Sequence, residues 1–565
     1  MKGILLATFS LILSQYLWAQ SGDLSVIRND AIQKTGIFSK GVVVCAQPIA
    51  ANIGKDILEK GGNAFDAAIA TQLALAVVYP QAGNIGGGGF MTARDAGGKL
   101  LALDFRETAP FQSSRNMYLD KNGNADMHLS QDGHLSVGVP GAVAGLFSMM
   151  LYAKLPFRIL IQPAIDLARK GFSITAQQAS LMNDFKVDFE KYNKGEIAFV
   201  KASPWKAGDI LVQKDLANTL ERIRDKGAKG FYEGTTAALI VAEMNRGKGI
   251  ITLQDLKNYR TKFRKAVSFN YRGYDIISFP PPSSGGLLLE QMLKMVEPFS
   301  LNKMGFHSAK TIHLMTEVER RAYADRAKYM GDPDFWKVPD STLVSDSYLK
   351  ERMKTFDQNK ATPSKKIAAG NMSETNETTH LCVADKEGNI VSITTTLNGN
   401  FGSRVVVKGA GFLLNDEMDD FSVKPGVPNM YGAVGGEANS IRPNKRMLSS
   451  MCPTLILKNN KPFMVVGTPG GTTIPTSVFQ SIVNLIDFGM QPADAINAPK
   501  FHHQWLPDEL FMEKGFNSNI IDSLEKMGYT IKMRGPIGRT EMILFKNGLM
   551  YAAADIRGED SVAGF

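Results

Sequence analysis

The change of character at Thr378 constrains the fold of this chain more than any other feature of the sequence. Residues 360–377 are polar, and only Ile367 and Met372 among them are large and apolar. After Thr378 an alternating run leads into Lys386-Glu387-Gly388, and a run rich in β-branched residues follows that turn. Two such runs joined by a short glycine-containing loop predict a β-hairpin. We therefore expect an exposed linker at 360–377, open to cleavage, followed directly by paired strands.

The register of this hairpin places two threonine hydroxyls opposite each other. Thr378 and Thr396 lie at equal distances on either side of Glu387, so they face each other if the turn is centred there. Directly opposed residues have Cβ atoms about 4.5–5.5 Å apart, which lets the hydroxyls meet. A register shift of one residue would separate them. Taken alone, the two threonines also fit a purely structural role as good strand formers.

Two further patterns predict how the rest of the chain packs. A helix, a Gly61-Gly62 break and a second, apolar helix are predicted between Ala50 and Pro80. The run Gly86–Gly89 lacks the residues of a phosphate-binding loop, so we interpret it as close backbone packing. Residues 159–335 are predicted to be largely helical. The chain is therefore expected to combine helices with sheet.

Composition and charge exclude several classes of protein. The 565 residues are 44% hydrophobic and 21% charged, which is typical of a folded globular chain and not of a disordered one. The net charge of +9 is spread along the sequence without a dense basic run, so nucleic-acid binding is not expected. Cys45, Cys382 and Cys452 lack metal-ligand spacing and are interpreted as buried free thiols. No HExxH motif occurs, and we expect neither a metal nor a cofactor.

The first nineteen residues have the pattern of a secretory signal peptide. Met1-Lys2 provides a positive start, residues 3–18 are mostly apolar, and Ala19 offers a small residue for cleavage. The apolar core is shorter than the roughly 20 residues that a membrane-spanning helix needs. The alternative is an uncleaved anchor. We expect residues 1–19 to be removed and the mature protein to be exported without membrane insertion, to the periplasm or, as the alternative, to the medium.

Seven short motifs occur in order along the chain. They are Gly86–Gly89, Phe105–Pro110, Arg321–Arg326, Thr378-Thr379-His380, Leu414–Phe421, Arg446–Met451 and Thr468–Gly471. Together they resemble the γ-glutamyltranspeptidase family, and the resemblance runs from about Gly41 to Phe565. It implies an α/β (α+β) fold, a four-layer αββα sandwich of the N-terminal nucleophile hydrolase type, built jointly by two subunits cut from one precursor.

The resemblance also implies domain boundaries and an activity. The large subunit would span 20–377, helix-rich and ending in the polar linker at about 360–377, and the small subunit would span 378–565. The two would remain together as a heterodimer. The implied activity is that of a γ-glutamyltransferase and glutathione hydrolase, which passes the γ-glutamyl group of small molecules such as glutathione to water or to an amino acid or peptide.

Self-cleavage explains how a threonine becomes a nucleophile. A threonine hydroxyl reacts poorly at neutral pH, but at a chain terminus it gains its own α-amine, of pKa near 8, as a general base. Thr378 becomes terminal only if the Glu377–Thr378 bond is cut. The resemblance makes Thr378 the nucleophile and Thr396 its hydrogen-bond partner, and it assigns the stabilisation of the oxyanion to Gly470 and Gly471.

The substrate's γ-glutamyl end carries an α-carboxylate and an α-amine, which need partners of opposite charge. Arg106 suits the carboxylate because its fork can make two parallel hydrogen bonds. The resemblance assigns Ser449 and Ser450 as further carboxylate donors, Asn398, Glu417 and Asp420 as ammonium partners, and Tyr431 as the gate of a lid loop within 422–446.

Two alternatives remain open from the sequence. A related self-processing amide acylase, similar to cephalosporin acylases, would share Thr378 and Gly470-Gly471 but would bind a different acyl group. Arg106, Asp420 and the pair Ser449-Ser450 argue against it, because only an amino-acid-like end needs both charge partners. An exported solute-binding protein would explain the signal peptide and the length, but it has no use for a threonine placed directly after a cleavable linker.

Overall fold

The computed structural model describes residues 30–367, 378–424, 426 and 435–565. The predicted signal peptide, the residue Glu377 on the amino side of the cleavage bond and the predicted gate Tyr431 lie outside these ranges. In the described residues, two seven-stranded sheets pack face to face and helices cover their outer faces. This arrangement confirms the expected four-layer αββα sandwich.

The strands of the described residues are numbered in chain order. They are β1 (Thr35–Phe38), β2 (Gly41–Cys45), β3 (Gly88–Arg94), β4 (Leu100–Asp104), β5 (Phe172–Ser173), β6 (Ile210–Leu211), β7 (Lys262–Arg264), β8 (Val267–Tyr271), β9 (Tyr274–Ser278), β10 (Thr379–Asp385), β11 (Ile390–Thr396), β12 (Thr454–Lys458), β13 (Lys461–Gly467), β14 (Phe501–His502), β15 (Leu510–Met512), β16 (Ile531–Met533), β17 (Glu541–Lys546), β18 (Leu549–Ala554) and β19 (Ser561–Gly564).

The α-helices of the same ranges are also numbered in chain order. They are α1 (Pro48–Glu59), α2 (Ala64–Val78), α3 (Met127–Gln131), α4 (Ala142–Met149), α5 (Phe157–Lys170), α6 (Ala176–Asp184), α7 (Lys186–Tyr192), α8 (Lys214–Lys226), α9 (Lys229–Tyr232), α10 (Gly234–Gly247), α11 (Leu253–Asn258), α12 (Gly285–Val296), α13 (Leu301–Met304), α14 (Ala309–Tyr329), α15 (Asp340–Leu343), α16 (Asp346–Met353), α17 (Ile474–Ile486), α18 (Pro492–Asn497) and α19 (Ser518–Lys526).

The two large sheets interleave strands from both sides of Thr378. One has the order β1-β18-β17-β13-β12-β9-β8, and the other has the order β19-β2-β10-β11-β3-β4-β7. In the second sheet the hairpin β10–β11 lies between β2 and β3, with antiparallel pairing on both sides. A cut before Thr378 would therefore divide the chain but leave both sheets shared between the pieces.

The hairpin has the register that the sequence predicts. Thr379 pairs with Thr395 and Ala384 pairs with Ile390, so the turn is centred on Glu387. Side chains alternate along these strands. Ala384 and Ile390 pack into the core between the two sheets, whereas neighbouring residues such as Val383 face the helices α1 and α2. Both faces are covered, which explains why every residue of β10 and β11 is buried.

The two predicted helices before the glycine run are confirmed as α1 and α2. Every residue of α2 is buried, in agreement with its apolar sequence. Its start is fixed by a capping box, in which the Asn63 side chain accepts hydrogen bonds from Phe65 N and Asp66 N while Asp66 accepts one from Asn63 N. The capping hydrogen bonds thus fix where the helix begins, and burial of its apolar side chains stabilises it.

The run Gly86–Gly89 is confirmed as a site of close backbone packing. A Cβ at Gly87 would lie 2.1 Å from the carbonyl oxygen of Thr396, and a Cβ at Gly89 would lie 2.3 Å from that of Thr394. Glycine is therefore needed for β3 to approach β11 at these positions. The run does not line the pocket that contains Thr378.

Two expectations are wrong in part. Residues 262–278, within the predicted helical region, form β7, β8 and β9, and the alternation in Val267–Tyr271 is the signal for this. The stretch 361–367 was expected to be exposed, yet Ala361, Thr362, Ser364 and Ile367 are between 0% and 8% exposed. These residues are covered by partners far away in the sequence. The three cysteines are buried and free, as predicted.

Candidate active site

One pocket brings together residues from both sides of Thr378. Its empty volume is about 330 Å³, counted with the open space at its mouth. Nine of the ten predicted site residues in the described ranges line it, and Gly470 is adjacent to its wall. The lining residues are Arg106, Arg326, Thr378, Thr396, Asn398, Glu417, Asp420, Ser449, Ser450, Met451, Gly471, Thr472 and Ile474.

The hairpin carries Thr378 and Thr396 to one end of the core between the sheets. Thr378 directly precedes β10, Thr396 is the last residue of β11, and both are buried. The register of the hairpin, continued by one pair, sets them opposite each other. Thr396 Oγ1 accepts a hydrogen bond of 2.8 Å from Asn398 N. A hydroxyl that accepts in this way keeps its own hydrogen for donation, which suits a residue that orients a second hydroxyl.

His380 lies on the same face of β10 as Thr378 but does not line the pocket. It is fully buried, and burial lowers its pKa to about 3, so the ring is neutral. Its Nδ1 is 2.8 Å from Thr394 Oγ1, and its ring packs against Gly467. These contacts support the structural role that we infer for His380 over a role as a base.

Arg106 is held in a cage of carboxylates. It follows the end of β4, and Asp104 Oδ1 accepts a hydrogen bond of 3.0 Å from its backbone N–H. The guanidinium is fully buried and donates to the carboxylates of Glu417 and Asp420. Burial opposes the charge, but Glu417, Asp420 and Glu107 outweigh it and raise the pKa of Arg106 above its ordinary value. The pocket thus contains a fixed positive group beside fixed acids.

Glu417 is an acid of this cage whose charged form is disfavoured by burial. It lies in the 3₁₀ turn Glu417–Asp420 and is 1% exposed. Burial raises its pKa to about 8, with Arg106 acting in the opposite direction. A nearby cation would favour the charged form of this carboxyl. Its protonation can therefore respond to what the pocket binds.

Glu417→Gln should change how stability depends on pH. The pKa of Glu417 rises from 4.5 to about 8 on folding, so the folded state holds this proton more tightly than the unfolded chain. The wild type should lose stability relative to the variant as pH rises between these values, by no more than about 1.4 kcal/mol per pH unit. Urea unfolding of both proteins from pH 5 to pH 9 measures the difference, which should level off above pH 8. Parallel curves would contradict the prediction.

The segment with Ser449 and Ser450 forms another part of the pocket wall. Ser449 is fixed through its backbone, because its carbonyl accepts from Ser284 N at 2.8 Å and its N–H donates to Pro282 O at 2.9 Å. Arg326, on α14, donates to Ser450 Oγ at 3.1 Å and to Ser284 Oγ at 3.0 Å. Arg326 was not among the predicted site residues. Its place at the end of the motif Arg321–Arg326 is the sequence signal that points to it.

Gly470 and Gly471 form the turn between β13 and α17. Gly470 has a φ of 137° and Gly471 a φ of 53°, conformations that favour glycine. The 3₁₀ turn Gly471–Thr473 leads directly into α17, and Gly471 lines the pocket. Backbone N–H groups at the start of a helix are unpaired within it and favour negative charge. The turn is therefore suited to stabilising an oxyanion.

Thr396→Val should lower turnover, whereas Thr395→Val should lower stability instead. Valine keeps the shape of Thr396 but cannot orient the Thr378 hydroxyl, so both self-cleavage and turnover should slow by about tenfold or more. Thr395 faces the other side of the strand, where its hydroxyl donates to Gly88 O at 2.8 Å. Its loss should cost about 1–3 kcal/mol of stability. Rates per cut molecule and melting temperatures separate the two outcomes, and equal turnover losses would contradict the assignment.

No group of three or more His, Cys, Asp or Glu side chains that could hold a metal ion occurs within the described ranges. None of the helices in the described part of the chain is both long and apolar enough to span a bilayer.

The chain resembles known proteins over most of its length. The Gamma-glutamyltranspeptidase family model matches residues 50–565. The glutathione hydrolase proenzyme of Escherichia coli (strain K12) is 46% identical over 534 residues, covering 93% of this chain and 92% of that protein. Cephalosporin acylase from Bacillus halodurans has a TM-score of 0.85 at 28% identity and covers 95% of this chain and 97% of that chain. Helicobacter pylori γ-glutamyltranspeptidase has a TM-score of 0.57 at 46% identity and covers 61% of this chain and 97% of that chain.

These neighbours confirm that the four-layer sandwich is of the N-terminal nucleophile hydrolase type. The matched residues include the hairpin, the carboxylate cage around Arg106 and the glycine turn. This chain belongs to the γ-glutamyltranspeptidase family.

Proposed function

We propose that this chain is a self-cleaving γ-glutamyltransferase and glutathione hydrolase. The observation that carries the proposal is the pocket itself, in which two threonine hydroxyls lie beside Arg106, Glu417 and Asp420. A γ-glutamyl group presents one carboxylate and one ammonium at its far end. A guanidinium and carboxylates within one small pocket match that pair of charges.

Maturation would begin with attack of Thr378 Oγ on the carbonyl carbon of Glu377. The C–N bond breaks, the acyl group moves to the oxygen as an ester, and the nitrogen becomes the α-amine of Thr378. Water then hydrolyses the ester and leaves a carboxylate on Glu377. With the signal peptide removed, the products are a large subunit, residues 20–377, and a small subunit, residues 378–565.

Turnover would use the same hydroxyl with the new α-amine as base. The amine takes the proton from Thr378 Oγ, which attacks the γ-carbonyl of the donor, and the N–H groups of Gly470 and Gly471 stabilise the oxyanion. The C–N bond of the donor breaks, and its amine leaves with the proton. Water or an amino group then attacks the γ-glutamyl ester and regenerates Thr378.

Recognition would replace the ion pairs that Arg106 makes within the pocket. Arg106, with Ser449 and Ser450, would hold the α-carboxylate, and Asp420, Glu417 and Asn398 would hold the ammonium. Arg106 already pairs with Glu417 and Asp420, so all three charged groups are held in place before substrate binds. On binding, Arg106 would pair with the substrate's carboxylate, and the two acids would pair with its ammonium. Closure of a lid gated by Tyr431 remains a prediction, because that residue lies outside the described ranges.

The two subunits would stay associated after the cut. Each large sheet contains strands from both sides of Thr378, so separating the subunits would expose the core and unpair β10 from β2 and β11 from β3. We propose that the protein is exported by means of its signal peptide and forms a heterodimer that does not insert into the membrane. The periplasm is the proposed destination, and the medium is the alternative.

Product analysis with paired anilides tests the activity. γ-Glutamyl-p-nitroanilide should be hydrolysed, and an added dipeptide should yield γ-glutamyl dipeptide. Glutaryl-p-nitroanilide is a matched control, because it lacks only the α-amino group and so offers the carboxylate cage no ammonium to bind. The structural likeness to a cephalosporin acylase makes acylase activity the second candidate. Faster turnover of the glutaryl compound would favour it and overturn our proposal.

A further inference from the structure

Residues 361–367, the last described residues before Thr378, are anchored by side chains that follow Thr378 in the sequence. Ser364 donates from N and from Oγ to the two carboxylate oxygens of Asp508, each at 2.8 Å. Trp505 Nε1 donates to Ser364 O at 3.1 Å and to Ile367 O at 2.7 Å. We call Trp505 and Asp508 the clamp. Its contacts join the two proposed subunits on either side of the cleavage bond.

Helix α14 provides further contacts to residues 361–367 and to the clamp. Arg320, 1% exposed, donates to both Ser364 Oγ and Asp508. Glu317 accepts a hydrogen bond of 3.1 Å from Thr362 N and is itself paired with Arg321 at 2.6 Å. Two charged side chains of α14 therefore contact a short polar segment that the sequence alone predicts to be exposed. Burying polar groups in this way costs free energy unless each of them has a hydrogen-bond partner.

Trp505 holds its position in an unfavourable backbone conformation. Its φ is 70°, in the left-handed region that bulky residues rarely adopt. Its N–H donates to His503 Nδ1 at 3.0 Å, and its ring is 2% exposed. Strain of this kind persists only where the surroundings impose it, and it is often found at positions that have a function. Neither Trp505 nor Asp508 lines the pocket.

We propose that Trp505 and Asp508 are positioning residues for self-cleavage, which anchor 361–367 so that the bond before Thr378 is presented to its hydroxyl. This inference rests on the proposed self-cleavage. Ten residues separate Ile367 from Thr378, whereas 24 separate Thr378 from Met353 at the end of α16. The probability that the two ends of a loop meet falls as roughly the 3/2 power of its length. If the whole segment were released, the rate of self-cleavage would therefore fall by up to about fourfold. Lost orientation adds to this factor.

The same contacts should not matter for turnover. Once the Glu377–Thr378 bond is cut, the anchored segment is no longer joined to Thr378, and its position cannot direct the nucleophile. The interleaved sheets hold the subunits together without the clamp. A residue that serves only stability would instead affect melting, cleavage and turnover together.

The experiment compares self-cleavage and turnover in the full-length protein. Asp508→Ala removes the acceptor of Ser364, Trp505→Phe keeps an aromatic ring but removes the Nε1 donor, and the double variant removes both. Asp487→Ala is the control, because Asp487 also accepts from a hydroxyl and a guanidinium, Tyr271 at 2.6 Å and Arg272 at 3.1 Å, away from the segment. The fraction cut is followed on gels after pulse labelling, and γ-glutamyl-p-nitroanilide turnover is divided by the amount of small subunit.

The double variant should be cut about tenfold more slowly than the wild type, with turnover per cut molecule within twofold and normal cleavage in Asp487→Ala. Melting of each variant in the uncut Thr378→Ala background shows whether the fold is intact. Cleavage within threefold of the wild type, or a rate loss matched by Asp487→Ala, would overturn the proposal. If the wild type itself is never cut at Thr378, the proposed function fails, and that result is distinct from failure of the clamp alone.

Discussion

Thr378→Ala should leave the precursor as one uncut chain without measurable turnover. Alanine has no oxygen to attack the Glu377 carbonyl, so neither the ester nor the free α-amine can form. Loss of a covalent nucleophile typically lowers turnover by 10³-fold or more. The wild type should instead give pieces of 358 and 188 residues, about 39 and 21 kDa at roughly 110 Da per residue. Denaturing gels and anilide assays measure both effects.

Two control variants show that the loss comes from the hydroxyl. Thr378→Ser keeps the nucleophilic oxygen and should still be cut, more slowly than the wild type. Thr379→Val changes the adjacent threonine, which points to the opposite face of β10, and should be cut normally. Cleavage in Thr378→Ala at the same position and rate would remove Thr378 from the mechanism.

Arg106→Lys should weaken donor binding strongly while leaving self-cleavage intact. Lysine keeps the charge but lacks the planar guanidinium. It cannot donate to Glu417 and Asp420 at the same time, as Arg106 does, and it cannot offer two parallel donors to a substrate carboxylate. Loss of a charge-assisted hydrogen bond is worth about 1.5–3 kcal/mol, roughly tenfold to a hundredfold in kcat/KM. Steady-state kinetics with γ-glutamyl-p-nitroanilide measure the change.

Arg557→Lys is the matched control for this substitution. Arg557 is also a mostly buried arginine that bonds two carboxylates, those of Glu513 and Asp555, but it does not line the pocket. Its replacement should affect stability and not kcat/KM. Unchanged donor kinetics in a fully cut Arg106→Lys protein would show that Arg106 does not hold the substrate.

Local patterns predicted the elements whose partners are close in sequence. The hairpin β10–β11 follows from alternation and one turn, and α1 and α2 follow from helical spacing and the Gly61-Gly62 break. The strand β8 carries the alternation Val267-Ser268-Phe269-Asn270-Tyr271, with Phe269 and Tyr271 buried, so its signal was present in the sequence. The expectation of a helical region outweighed it.

Other features depend on partners far away in the chain and could not be predicted from local pattern. The residues next to Ser364 in the sequence are polar and suggest exposure. Ser364 is buried because it binds Asp508, which is 144 positions away in the chain. Acidic residues such as Glu417 and Asp420 would form a solvated loop by themselves, and Arg106, more than 300 positions earlier, makes them part of a pocket. Only the family resemblance indicated that cage from the sequence. Arg326 was missed because its partners, Ser284 and Ser450, come from two other segments.

The central claim is that Thr378 becomes the first residue of a separate subunit and acts there as the nucleophile. N-terminal sequencing of the smaller piece from an active preparation tests this most directly. That piece should begin Thr378-Thr379-His380. A smaller piece that begins at any other residue, or full activity in a preparation that contains only the uncut chain, would contradict the claim.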